Sequence, residues 1–197
     1  MKRDSREQRH GFGALMIKAV AFVVLIVGTA NATNLFFRPN AEKLYTELAH
    51  ATWVANGHGP KILYFIFDPN CPYCHMLFEE LEPLIGPDHL TVREVPVGYL
   101  TPTSLFKAAT ILESKHPLRL IAQGEAHYVF RHGMGIGLTK PSRRVRSELR
   151  SNLKLLKATT GYSIVPVLVY LKGDGKAKFV VGQPSSRALR SLIAEIK

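Results

Sequence analysis

The chain has 197 residues, 46% of them hydrophobic, enough for one domain with a packed core. Two cysteines are too few to staple a miniprotein, so they are left for chemistry. The formal charge of +11 suits acidic proteins or anionic lipid; no nucleic-acid motif accompanies it, and no nucleic-acid partner is expected.

Residues 1–32 read as an export segment. Lys2, Arg3, Arg6 and Arg9 make a basic start. Ala14 to Gly28 is apolar apart from Lys18, and Ala30-Asn31-Ala32 fits a small-residue cleavage site. A cleaved signal peptide is expected; the alternative is an uncleaved N-terminal membrane anchor, because Gly11 to Ala30 is nearly long enough to span a bilayer. Either way the remainder is exported, into an oxidising, periplasmic compartment where disulfide chemistry has a purpose. Residues 33–197 keep 21 basic and 13 acidic residues, a net +8.

Residues 33–60 are expected to supply a linker and one helix. Leu44, Leu48, Ala51 and Val54 or Ala55 recur at helical spacing, which predicts an amphipathic helix over 40–56 with Trp53 packed on the domain. Asn56-Gly57-His58-Gly59-Pro60 ends it. Ile62 to Phe67 is a short continuous apolar run, a buried strand, broken by Asp68, Pro69 and Asn70. Cys71, Pro72, Tyr73, Cys74 and His75 follow. Met76, Leu77, Leu81 and Leu84 then predict a helix with Glu79, Glu80 and Glu82 mostly on its other side. Pro83 is a candidate kink, and Gly86-Pro87 closes the unit.

Leu90 to Val95 alternates and predicts a second strand. Residues 102–160 are expected to be a helical insertion: one helix around Leu105 to Leu112, another from Leu118 to Phe130, and a third after Pro141. Arg131 to Gly137, with four glycine or methionine positions, reads as a flexible loop flanked by surface histidines His127 and His132. The third helix carries Arg143, Arg146, Arg150, Lys154 and Lys157, the composition of a solvated face. Ile164 to Tyr170 predicts another buried strand with Pro166 at its entry. Lys172-Gly173-Asp174-Gly175 makes a hairpin, Ala177 to Val181 returns, and Ser185 or Ser186 caps a last helix.

The order of buried strand, turn, C-x-x-C and helix has a chemical consequence. Pro72 suits the first turn of a helix, so Cys71 falls at the helix start, where free N–H groups and the dipole favour an anion. A thiol there has a lowered pKa, and its thiolate is the nucleophile. Cys74 lies one turn later, within reach of a mixed disulfide formed at Cys71. Other readings compete. C-x-x-C-H is also the attachment signature of a c-type haem electron carrier, although Met76 is too close to serve as a distal ligand. Zinc would need two further ligands. Two inert buried cysteines leave the intervening proline and helix start unexplained.

The segment resembles the active site of the periplasmic thiol:disulfide interchange proteins of the DsbC/DsbG group, within the thioredoxin-like superfamily. Cys-Pro-Tyr-Cys is similar to the DsbG motif, and the following His75 to DsbC. The resemblance runs over residues 41–197. It implies an α/β, thioredoxin-like domain over 61–197, with a central mixed sheet and the helical insertion. It also implies a cis bond between Val165 and Pro166, facing the cysteines and lining the substrate groove with Pro72, Tyr73 and His75. Cys71 and Cys74 would be the catalytic pair, a redox-active disulfide with no other cofactor. Cysteine-containing exported proteins would be substrates, and a membrane protein, a DsbD-like reductant or a DsbB-like oxidase, would reset the pair. Three departures follow. The residues before 61 leave no room for the group's dimerisation domain, so a monomer is expected. Val165 stands where the group has Thr and is like the oxidase DsbA. The buried acid of thioredoxin, six positions before the first cysteine, is Phe65. These departures keep a DsbA-like oxidase and a partner-specific assembly factor as alternatives to an isomerase.

Overall fold

The computed structural model describes residues 40–197. The expected export segment and most of the linker lie outside the described residues. The elements are α1 (Ala41–Leu48), β1 (Val54–Gly57), β2 (Lys61–Phe67), α2 (Pro72–Ile85), β3 (Leu90–Pro96), α3 (Ser104–Glu113), α4 (Pro117–Ala126), α5 (Arg143–Thr160), β4 (Val167–Leu171), β5 (Ala177–Val181) and α6 (Ser186–Glu195). Five strands form one sheet in the order β1-β3-β2-β4-β5. β2 runs parallel to β3, and the other pairings are antiparallel. This is the mixed sheet of a thioredoxin-like fold, with the helical insertion between β3 and β4.

β2 is central, and its sequence shows why. Leu63 to Phe67 are all buried, because helices cover both sheet faces there, so the strand reads as an unbroken apolar run. Phe65 and Phe67 pack edge-on against Phe78 of α2, with ring centroids 4.7 and 5.1 Å apart. α2 continues through Pro83 to Ile85. Met76, expected on its apolar side, faces solvent; Phe78 takes that place.

The predicted helix over 40–56 is half right. Asn40 caps α1, accepting from the Lys43 N–H, and Leu44 and Leu48 are buried. The helix stops at Leu48, and Val54 to Gly57 form an edge strand paired with β3. Ala51 and Val54 fit a helical period by coincidence. The polar break at His50 and Thr52 separates two elements, and Asn152 of α5 ties that break down. It accepts from the Thr52 N–H at 3.2 Å and donates to the carbonyls of Thr52 and Pro96, both at 2.9 Å. Trp53 lies against the Arg93 guanidinium, 4.5 Å from its ring centroid.

The expected strand from Ile164 begins only at Val167. Pro166 has no N–H to give the ladder; its carbonyl accepts from the Gly182 N–H at 2.8 Å. The segment read as a flexible loop, Arg131 to Gly137, is instead stitched down. Lys107 donates from its ammonium to the carbonyls of His132 and Met134, the Met134 N–H donates to the Pro69 carbonyl at 2.9 Å, and that of Gly135 to the Gly124 carbonyl at 2.9 Å. Gly133 has φ +74°, and a Cβ there would lie 2.0 Å from Asn70 Oδ1, so glycine is required at this contact.

Candidate active site

The site is built where β2 ends. Asp68, 1% exposed, follows the last strand residue. Its carboxylate accepts from the N–H groups of Asn70 (3.0 Å), Tyr99 (2.8 Å) and Leu100 (3.1 Å), and from the Ser104 hydroxyl (2.7 Å). One buried acid thus fixes the turn before the cysteines to the loop between β3 and α3. The Asn70 amide adds bonds to the hydroxyls of Thr101 and Thr103.

Cys71 is the N-cap of α2, with Pro72 at the first helical position. Its sulfur accepts from the Cys74 N–H at 3.3 Å and lies 3.7 Å from the Val165 carbonyl oxygen. Both cysteines are free thiols, 3% and 1% exposed. Their proton affinities are pulled apart. The Cys74 thiol donating to Cys71 holds the Cys71 pKa below its ordinary value; burial opposes this, the N–H groups of Cys74 and Tyr73 assist, and the charge on Asp68 opposes. Burial, then the bond and charge of Cys71, push Cys74 well above an ordinary thiol. The proton is thus biased away from the Cys71 sulfur and toward that of Cys74.

The Val165–Pro166 bond is cis, as the resemblance implied, and Val165 is the residue that meets Cys71. Tyr73 is exposed beside the pair. His75 turns away from it: its Nδ1 shares a 2.5 Å hydrogen bond with Glu125 Oε2, and its ring stacks on Tyr128 at 4.1 Å and 4°. Burial raises Glu125 to about 7 against the pull of His75.

The sequence reading missed several of these groups. Asp68 reads in the sequence as a strand breaker, but a charged residue abutting a fully apolar strand also signals a buried acceptor. Tyr99 and Tyr128 flank the pair. Their hydroxyls donate to the carbonyls of Ser163 (2.6 Å) and Asn70 (3.3 Å), and burial, then neighbouring negative charge, raises both phenols. Phe65 does occupy the expected acid position. However, its partner on β3 is Glu94, buried and raised to about 8, chiefly by desolvation. Glu94 is met by Asn56 and lies near Glu82 rather than the cysteines. Among the described residues, no three His, Cys, Asp or Glu side chains converge as metal ligands.

Known proteins fit this geometry. A model of the thioredoxin-like domain matches residues 48–197. The thiol:disulfide interchange protein DsbG of Pseudomonas aeruginosa is 27% identical over 162 residues, 81% of this chain and 62% of that protein. DsbG of Escherichia coli is 25% identical over 161 residues, 80% of this chain and 63% of that protein. The chain therefore spans less than two thirds of the length of these curated relatives. A periplasmic thioredoxin-like protein from Salmonella enterica serovar Typhimurium superposes with a TM-score of 0.58 at 20% identity, covering 73% of this chain and 88% of that one. At that identity the superposition speaks for the fold alone.

Proposed function

Since this chain belongs to the thioredoxin-like domain family, we propose that it is an exported thiol–disulfide oxidoreductase acting on cysteine-containing proteins through Cys71 and Cys74. The observation that carries the reading is the asymmetry of the two sulfurs: a depressed, capping thiol beside the Val165 carbonyl and a buried, protonated one a turn below. In reduction, the Cys71 thiolate attacks one sulfur of a client disulfide. A mixed disulfide forms and one client thiolate leaves. Cys74 gives up its proton and attacks the Cys71 sulfur, closing the Cys71–Cys74 disulfide and releasing the second client thiol. Two electrons pass to the client, and a membrane redox protein restores the pair. In isomerisation, a client thiolate resolves the mixed disulfide instead and Cys71 is returned reduced. No cofactor is needed for either route.

Similarity to the DsbG proteins over most of the chain supports the isomerase direction, with weak activity. Val165 against Cys71 favours a DsbA-like oxidase as the second reading. The export pattern of residues 1–32 supports a periplasmic location. Among the described residues no helix is long and apolar enough to cross a membrane.

The test uses both single-cysteine variants. Cys74→Ser should accumulate mixed disulfides, and Cys71→Ser should form none. Equal trapping by the two would overturn this assignment of roles. Rescue of a scrambled multi-disulfide protein, measured beside oxidation of a reduced one, sets the direction. Failure in both with intact thiols would leave a non-catalytic assembly factor.

A further inference from the structure

Behind α2, away from the cis-proline, lies a cavity of about 530 Å³ between that helix, α4 and the β1–β3 edge. Phe78, Leu118 and Ile121 make its apolar walls. Its charged lining is mostly acidic: Glu79, Glu82, Glu94 and Glu125 against Arg119. Four of the 15 acidic residues of a chain with net charge +11 thus gather around one hollow. Composition alone would not place them there.

Glu94 adds an independent observation. It is 1% exposed and lines the cavity from β3. Its Oε1 accepts from the Asn56 amide at 3.2 Å, and the same amide donates to Glu82 Oε2 at 3.0 Å. Glu94 Oε2 has no hydrogen-bond partner among the described residues. A buried carboxyl oxygen left unpaired is costly, and native structures rarely keep one without a use. Glu125 is already held by His75. Glu79 and Glu82 are exposed, so an entering group meets them before Glu94.

We propose that this cavity binds an amphipathic cation, an apolar body ending in one ammonium or guanidinium group, with the charged end on Glu94. The volume falls within the range of about 300–1,000 Å³ usual for small-ligand sites. An anion would face four carboxyl groups. A neutral apolar ligand would fill the walls but leave Glu94 unpaired. A cation satisfies both surfaces, and Arg119 at the lining leaves the balance acidic. Burial keeps Glu94 protonated up to about pH 8, so an entering cation displaces its proton. The groups facing Glu94 are Glu82 on α2, Glu125 on α4 and the uncharged Asn56 amide on β1, with Arg119 at the lining; of these Glu125, raised to about 7 by burial, also gains negative charge as pH rises.

The ligand chemistry has two sources, a free organic cation or a Lys or Arg side chain of a client. The experiment separates them and does not depend on the exchange activity. Titration calorimetry on the full chain would compare octylammonium, octanol and a cysteine-free peptide with one lysine between leucines. Octylammonium should bind saturably, about tenfold or more tightly than octanol. Its affinity should rise between about pH 6 and pH 9, the range that brackets Glu94. Glu94→Gln should weaken it by about tenfold and leave octanol unaffected. Ala122→Trp, filling the cavity from α4 without touching Glu94, should abolish both. Binding of octylammonium assigns a free ligand; binding of the peptide alone assigns a client side chain. No saturation by either cation, equal affinity for octanol, or an unchanged affinity in a folded Glu94→Gln protein would overturn the proposal.

Discussion

At the scale of residues, burial decides which groups hold protons. Glu94 shows the consequence for stability. Its folded pKa, about 8, lies above the ordinary 4.5. The folded state therefore binds the proton more tightly than the unfolded chain. That contribution is fully present below about pH 4.5 and is lost as pH rises through about 8. The protein should be less stable at alkaline than at mildly acidic pH, and Glu94→Gln should remove much of that slope, up to a few kcal/mol. Denaturant unfolding at several pH values checks this; an unchanged slope in the variant would assign the dependence elsewhere. The sequence carried the signal. Leu90, Val92 and Glu94 share one parity of an alternating strand, so Glu94 falls on the inward side. What the alternation could not say was that Asn56, from a segment read as helix, would be its partner.

At the scale of elements, the site depends on how loops are fastened to the end of β2. Asp68 receives four hydrogen bonds from the turn and the β3–α3 loop. Asp68→Ala leaves those buried donors unpaired and should cost about 2–4 kcal/mol. Asp68→Asn removes the negative charge that opposes the Cys71 thiolate, so the Cys71 pKa should fall further. Thiolate absorbance against pH reads it, and a rise would contradict the account. Gly133→Ala forces a Cβ onto Asn70 in a left-handed backbone. It should cost about 1–3 kcal/mol and slow disulfide exchange by shifting the turn before Cys71; wild-type stability and rate would refute this. The strand, cap and active-site helix were legible because each is written locally: an apolar run, a proline at the first turn, a helical period. The Arg131–Gly137 segment was not legible. Its glycines suggest freedom, and the restraint comes from Lys107 and Pro69, far away in sequence.

At the scale of the molecule, both sheet edges are guarded against pairing with another copy. β1 has only four residues, and β5 carries Lys178 at its exposed side. A monomer is expected in sedimentation equilibrium of the reduced protein, and a concentration-dependent dimer would show that another surface associates. The fold class was readable from the succession of elements, but the strand order was not, since it rests on pairings distant in the chain. That order has a temporal side. β2 is flanked by β3 and β4, and β4 begins only at Val167. A chain emerging amino end first presents Cys71 nearly a hundred residues before Val165, the neighbour that its sulfur meets. For that interval the central strand has one side open and the thiol lacks part of its pocket. Until Val165 is made, the cysteine pair of the growing chain stays uncovered on that side.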